Sequence, residues 1–416
     1  METTVRLQEP IRDASKLSVP KRLILGLQHT FTMFGATVLV PIITGLDVSV
    51  TLFMAGVCTL LSHMITKKRV PVFLGSSFAY IAPMIAVAEM ITKQGGTDGL
   101  AYARGGVVVA GGIYLIMAGL IYVFGVEKVV SFFPPVVTGP MILVIGLKLA
   151  PTAVGMASGN WSLAVVSLTA VIIVSIFGKG FLQIVPVIVG LAAGYIVAVL
   201  TGNVDFSAVG QASWFGVPNF EMAKFSLTSI MMVAPIALAT VVEHIGDIIA
   251  IGATVEDDFL KDPGLHRTML GDAICIPLSA MVGGPATTTY SENTGALAIT
   301  RVWDPMIMRI AAVFAIILGG VPKLAAVISS IPTSVVGGIS IVLFGMIASI
   351  GARTLIENKV DFTQSRNLII SAVILVLGLG GAALPINIGG ANLVLEGMAL
   401  AAIIGIVLNK VLPQAR

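Results

Sequence analysis

The chain has 416 residues, 56% of them hydrophobic and only 11% charged, with a formal net charge of +3 and a mean hydropathy of +1.01. Apolar runs this long and this numerous exclude a soluble globular protein and specify an all-α polytopic membrane protein. So small a net charge gives no footing for nucleic acid, and the information lies in where the charges fall.

Residues 1–20 are polar, carry Arg6, Arg12 and Lys16, and hold no apolar stretch of the signal-peptide kind, so no cleaved leader is expected. At about 20 residues per spanning helix, apolar runs then fall near 22–45, 47–66, 72–92, 106–125, 133–156, 161–178 and 182–201. After a polar loop, 202–224, a second set falls near 225–251, 267–285, 286–300, 305–322, 330–351, 367–384 and 391–411. That predicts fourteen spans, with 72–92 and 286–300 interrupted. The segment 350–366 reads as a solvated cytoplasmic connector.

An N-terminus in the cytoplasm puts Lys21, Arg22, Lys67, Lys68, Arg69, Lys128, Lys179, Lys261, Arg267, Arg301, Arg353, Lys359, Arg366, Lys410 and Arg416 inside. Only Lys93, Arg104, Lys148, Lys224 and Lys323 stay outside. This is the positive-inside bias, and it requires an even number of spans with both termini cytoplasmic.

The two sets of seven correspond. FPPVVTGPMILVIG at 133–146 and IPTSVVGGISIVLFG at 331–345 share the spacing of Pro134 and Gly139 with Pro332 and Gly337. The break GSSFAYIAP at 75–83 matches the one at 287–295. An odd number of spans per copy makes the second copy inverted. Paired discontinuous helices in inverted repeats are the signature of a secondary transporter.

The most informative stretch is GGPATTTYSENTGALAITR, 283–301. Gly283, Gly284 and Pro285 break helical geometry, Thr287–Tyr290 favours extended backbone, and Asn293 and Thr294 read as caps of a short helix, 295–300. Non-helical backbone at membrane depth occurs only where it is buried in protein or lines a cavity, and a carboxylate there, Glu292, marks a site. Glu243 is a second intramembrane carboxylate, with Asp247 one turn further on the same face. Cys58 and Cys275 read as small core residues, and His63, His244 and His266 as structural ones. Lys148 and Arg309 read as snorkelling to the interface. No metal-ligand spacing and no P-loop occurs.

Several motifs together resemble the nucleobase–ascorbate transporter (nucleobase:cation symporter-2) family, nearest its bacterial uracil:proton branch. They are Leu27-Gln28-His29 with Phe34–Pro41, Gly75–Ala79, Glu243–Gly246, Asp262–Arg267, Thr288–Asn293 and Glu396–Ala401. The resemblance implies two intertwined inverted repeats forming a core domain (22–125 and 225–325) and a gate domain (126–201 and 326–416), after a cytoplasmic segment, 1–21. It implies that Glu243 and Glu292 accept from ring N–H groups of a base, and that the backbone N–H groups of Phe78 and Ser291 donate to its carbonyls. Glu243, Asp247 and His29 would handle the coupling proton, and Asp272 would join the Asp247 network. No cofactor beyond H+ is implied. The expected partners are the plasma-membrane bilayer and a small nucleobase, and a homodimer stays open.

Two departures bear on the substrate. Asp247 stands where the uracil branch has histidine, as in the purine branch, whereas that purine branch has glutamine where this chain has Glu292. Ser291 stands where glycine is usual, but only its backbone N–H is required. Uracil is therefore expected, with xanthine or urate, an uncoupled facilitator or an anion exchanger as the alternatives; an enzyme is not expected.

Overall fold

The computed structural model describes residues 9–388 and 391–413; Arg6 and Arg416 of the charge pattern lie outside the described residues, as do the side chains of Ser291 and Glu396. Helix α1 (Val19–Thr44) carries proline in its first turn and stops where Gly45 turns left-handed, at φ 84°. The Asp47 side chain caps α2 (Val48–Ile65) by accepting from the Val50 N–H at 2.8 Å. The third span is a short strand, β1 (Leu74–Ser76), a single turn at Phe78–Tyr80, and α3 (Ile81–Lys93). Unbroken α4 (Gly99–Phe124) follows, then α5 (Val126–Val130), α6 (Pro135–Lys148), α7 (Ala150–Ser158), α8 (Trp161–Phe177), α9 (Pro186–Leu200) and α10 (Ser207–Gln211).

The second half runs through α11 (Leu227–Val233), α12 (Ala237–Val255), α13 (Leu265–Met281), strand β2 (Thr287–Thr289), α14 (Ser291–Thr300), α15 (Pro305–Gly319) and α16 (Pro322–Ser329). It ends with α17 (Thr333–Glu357), α18 (Ser365–Leu379), a hairpin of β3 (Ala383–Ile388) and β4 (Ala391–Glu396), and α19 (Gly397–Val411).

Among the described residues, six helical stretches are long and apolar enough to cross a bilayer, and seven if α15 and α16, bent by 81° at their junction, form one. Four shorter apolar helices, α8, α9, α18 and α19, accompany them. Large apolar side chains such as Ile116, Val123, Ile176, Phe177, Leu200 and Val376 stand exposed on these helices, as lipid-facing surfaces require. The protein is a multi-pass membrane protein.

The chain breaks more often than expected. The span read at 133–156 divides at Leu149, where Pro151 opens α7, and the one at 225–251 tightens into a turn at Ala234–Ile236 around Pro235. The last span starts at Gly397 rather than 391, because 391–396 pairs with a strand carrying Pro385. The connector begins later than read: α17 continues through 350–357, and the Asp361 carboxylate then ties the turn by accepting from the Thr363 N–H at 2.9 Å.

Two groups of helices pack tightly. In one, α4 lies against α13, and α15 against α1 and α2; in the other, α17 lies against α6, α7 and α8, and α18 against α6 and α19. Small residues make the second possible: a Cβ on Gly337 would sit 2.3 Å from the Ala157 nitrogen, and one on Gly338 2.1 Å from the Ala164 carbonyl. In a medium as apolar as the side chains themselves, such close backbone approach is what holds helices together. Pro134 and Pro332 cap α6 and α17 respectively.

Candidate functional site at a crossing of two strands

Strands β1 and β2 pair antiparallel, with Leu74 opposite Thr289, Gly75 opposite Thr288 and Ser76 opposite Thr287, and all six residues are buried. Two further backbone bonds extend the ladder, Ser77 N–H to Ala286 O at 2.9 Å and Tyr290 N–H to Phe73 O at 3.0 Å. Side chains tie it to the bundle: the Ser76 hydroxyl donates to Thr37 O on α1, and Thr59 on α2 accepts from the Leu74 N–H. Gly75 is required because the Tyr290 ring lies over it, with its hydroxyl donating to Ser76 O at 3.0 Å.

Each strand runs directly into a helix start. Phe78 opens the turn before α3, and Ser291 opens α14. The first N–H groups of a helix have no intrahelical acceptor and form the positive end of its dipole. Two such ends therefore meet at this crossing. Glu292 sits in the first turn of α14, and α12, which carries Glu243, packs on α14. One Glu243 oxygen, Oε2, is buried without a hydrogen-bond partner, an expensive condition unless a ligand N–H or a proton satisfies it. The Phe78 ring meets Phe344 of α17 edge-on at 6.1 Å, so the crossing lies where the two helix groups meet.

The residues expected at the site thus come from adjoining elements. Asp247 lies half-buried one turn beyond Glu243. His29 is fully buried, and its partner corrects an expectation: Asn293 does not cap α14, which begins earlier, at Ser291. Instead its amide Nδ2 donates to His29 O at 3.2 Å and lies 3.1 Å from His29 Nδ1. With the carbonyl fixing the amide's orientation, Nδ1 accepts and the ring proton is on Nε2.

The Permease family (Xan_ur_permease) matches residues 20–387. The chain belongs to that permease family. It is 45% identical to the uracil permease of Bacillus caldolyticus, over 98% of this chain and 96% of the relative. It is 38% identical to the uracil permease of Escherichia coli (strain K12), covering 93% and 90%, and 38% identical to the putative pyrimidine permease RutG of the same strain, covering 96% and 91%. The fold is similar to the transmembrane domain of the cyanobacterial bicarbonate transporter BicA (TM-score 0.65, 16% identity, 94% of this chain and 97% of that one). It is also similar to SLC26A9 (TM-score 0.68, 10% identity, 94% and 64%). A permease moves its substrate and does not transform it, so the chain is a transporter and not an enzyme.

Four polar groups of the permease take roles that their spacing did not reveal. His244, read as structural, lies with Nδ1 2.8 Å from Asp272 Oδ2, both side chains 1% exposed. The only signal in the sequence was an aspartate inside an apolar run. Arg104, read as an outer-loop charge, is wholly buried in α4; its guanidinium donates to the Glu221 carboxylate and carbonyl, both at 2.5 Å. Lys148, expected to snorkel, donates to Gly378 O at 3.2 Å, and Arg309 Nη1 is buried rather than solvated. Cys58 and Cys275 are buried core residues, each thiol directed at the other's carbonyl.

Proposed function

We propose that the permease imports uracil with protons across the plasma membrane, with both termini in the cytoplasm. The observation that carries this is the crossing itself, where acceptors (Glu243 and Glu292) stand beside donors (the first N–H groups of Phe78 and Ser291). Uracil alternates ring N–H donors with carbonyl acceptors and is complementary to that set. Each ring group left unpaired in a buried site costs about 1–3 kcal/mol, which is what discriminates one base from another. Relatives named uracil permease, matched over nine-tenths or more of both chains, support the same reading.

The chain is read as fourteen spans in two inverted repeats, with the third and tenth broken at β1 and β2. Residues 22–125 and 225–325 form a core that carries the site, 126–201 and 326–416 form a gate, and 1–21 stay cytoplasmic. The separate packing of α17 with α6, α7 and α8 supports this division. Glu243 takes a proton from the outer side, with Asp247 and His29 assisting; the base binds at Phe78, Glu243, Ser291 and Glu292; core and gate shift, and both cargoes leave inward. One charge moving inward through 100 mV supplies about 2.3 kcal/mol.

The test is uptake of labelled uracil into proteoliposomes under an inward proton gradient, with xanthine as competitor and Glu243→Gln in parallel. Accumulation that follows the gradient, ignores xanthine and is lost in the variant is expected. Xanthine accumulation would assign the site to purines, with Asp247 as its determinant, and uptake that only equilibrates would make the protein a facilitator. Gradient-driven uptake by E243Q with a normal pH profile would remove Glu243 from coupling.

A further inference from the structure

A second polar cluster is buried between α12 and α13. His244 Nδ1 is 2.8 Å from Asp272 Oδ2, and its Nε2 is 3.0 Å from the Thr268 hydroxyl oxygen. That hydroxyl lies equally far, 3.0 Å, from the carbonyl of Leu265. Thr268 therefore has a single proton and two acceptors at the same distance. Glu243 precedes His244 on α12, and Tyr80, Tyr114 and Cys275 also border the pair. The Tyr114 ring meets the imidazole edge-on at 6.3 Å. Thr289 of β2 places its hydroxyl 3.5 Å from Nδ1. None of these neighbours carries a positive charge that would neutralise the aspartate.

Hydrogen-bond accounting restricts the states of this pair. A bare Nδ1 lone pair facing an ionised carboxylate oxygen at 2.8 Å in an apolar interior is repulsive, so Nδ1 keeps its proton in each state. What varies is Nε2. When Nε2 is bare, Thr268 donates to it and the pair carries one negative charge. When Nε2 is protonated, it donates to Thr268, whose hydroxyl turns to Leu265 O, and the pair is neutral. The two states differ by one proton and one hydroxyl rotation. Neither Asp272 oxygen receives a well-aligned bond, so the contact has room to tighten as the imidazole gains charge.

We infer that the His244–Asp272 pair is a station for the coupling proton, loaded at Nε2 from the outer aqueous phase and emptied to the cytoplasm once per cycle. The inference rests on the proton-symport reading: Glu243 takes the proton from the outer side and passes it on to the adjoining pair, which stores it. Glu243 is then free to accept from the base while the pair holds the charge that drives import. The Thr289 contact links the station to β2, the strand that runs into Ser291 and Glu292.

The experiment compares His244→Gln, Asp272→Asn, Thr268→Val and Thr268→Ser in proteoliposomes by two readouts. Counterflow of labelled uracil, which moves no net proton, reports binding and domain motion; accumulation under a one-unit inward pH gradient reports coupling. In one-to-one symport that gradient sustains an accumulation of about tenfold. H244Q and D272N are expected to lose accumulation by about tenfold more than they lose counterflow. T268S is expected to keep the wild-type pH profile and T268V to shift it. H244Q or D272N accumulating uracil like the parent with an unchanged pH profile overturns the inference; should both fail to fold, identical profiles in T268V and T268S overturn it. Wild-type protein that exchanges uracil but never accumulates it refutes symport itself, a different result from either.

Discussion

Gly75→Ala tests whether the strand crossing is the rigid element the site depends on. A Cβ at this position would lie 2.2, 2.3 and 2.8 Å from three atoms of the Tyr290 ring, all under 3.0 Å. Tyr290 is 3% exposed and anchored by its hydroxyl on Ser76 O, and its own N–H is held by Phe73 O. The ring is held at its hydroxyl and through its own backbone, so the strands must part or the hydroxyl must let go. Overpacking of this kind costs about 1–3 kcal/mol, and a lost buried hydrogen bond adds about 1 kcal/mol. Because Tyr290 directly precedes Ser291 and Glu292, part of that cost falls on the site: uracil affinity should drop about tenfold for each 1.4 kcal/mol. Thermal unfolding and uracil binding of purified G75A, Y290A and the double variant measure it. Removing the ring relieves the clash, so the double variant should be less damaged than the sum of the singles by at least about 1 kcal/mol. Additivity to within about 0.5 kcal/mol would refute the reasoning, since independent sites add to that precision.

Asn293→Leu removes the amide that joins α14 to α1 through His29 and leaves the His29 Nδ1 lone pair without its donor in a buried place. Stability should fall by about 1–3 kcal/mol, read as a lower unfolding temperature in detergent. At the Arg104–Glu221 latch the order of effects is the prediction. Arg104→Met leaves an exposed carboxylate that water can solvate, whereas Glu221→Ala strands a guanidinium that is 0% exposed. E221A should therefore cost more, on the scale of about 3–5 kcal/mol for an uncompensated buried charge; equal melting temperatures would contradict this. Nearby, the hydrogen bond from Lys224 Nζ to Asp98 at 2.5 Å raises the lysine pKa above its ordinary value. A raised lysine stabilises fully below the unfolded value and loses that contribution as pH rises through the folded one. Protease resistance of loop 202–224 should accordingly be flat through neutral pH and fall only in strong alkali, with Asp98→Asn abolishing the pH step.

Apolar periodicity and length alone identified a polytopic membrane protein, and most of the apolar runs became helices close to where they were read, as in α2, α4 and α8. The two special breaks were also legible, because glycine, proline and a run of β-branched residues in an otherwise apolar segment have few structural outlets in a membrane. The two glutamates were visible for the same reason: a carboxylate in hydrocarbon announces itself. What could not be read was which distant groups meet. That β1 pairs with β2 in a register setting Gly75 beneath Tyr290 is a contact across 215 positions of sequence. Asn293 looked like a helix cap because its neighbours allow that, and only the approach of α1 gave its amide a better acceptor. Arg104 and His244 looked ordinary because burial and partnership are properties of the packed bundle. Local chemistry thus determined the elements and the carboxylates, since desolvation acts on each residue where it stands. Tertiary structure decided the polar partners, since a buried hydrogen bond is satisfied by whatever the fold brings within 3 Å.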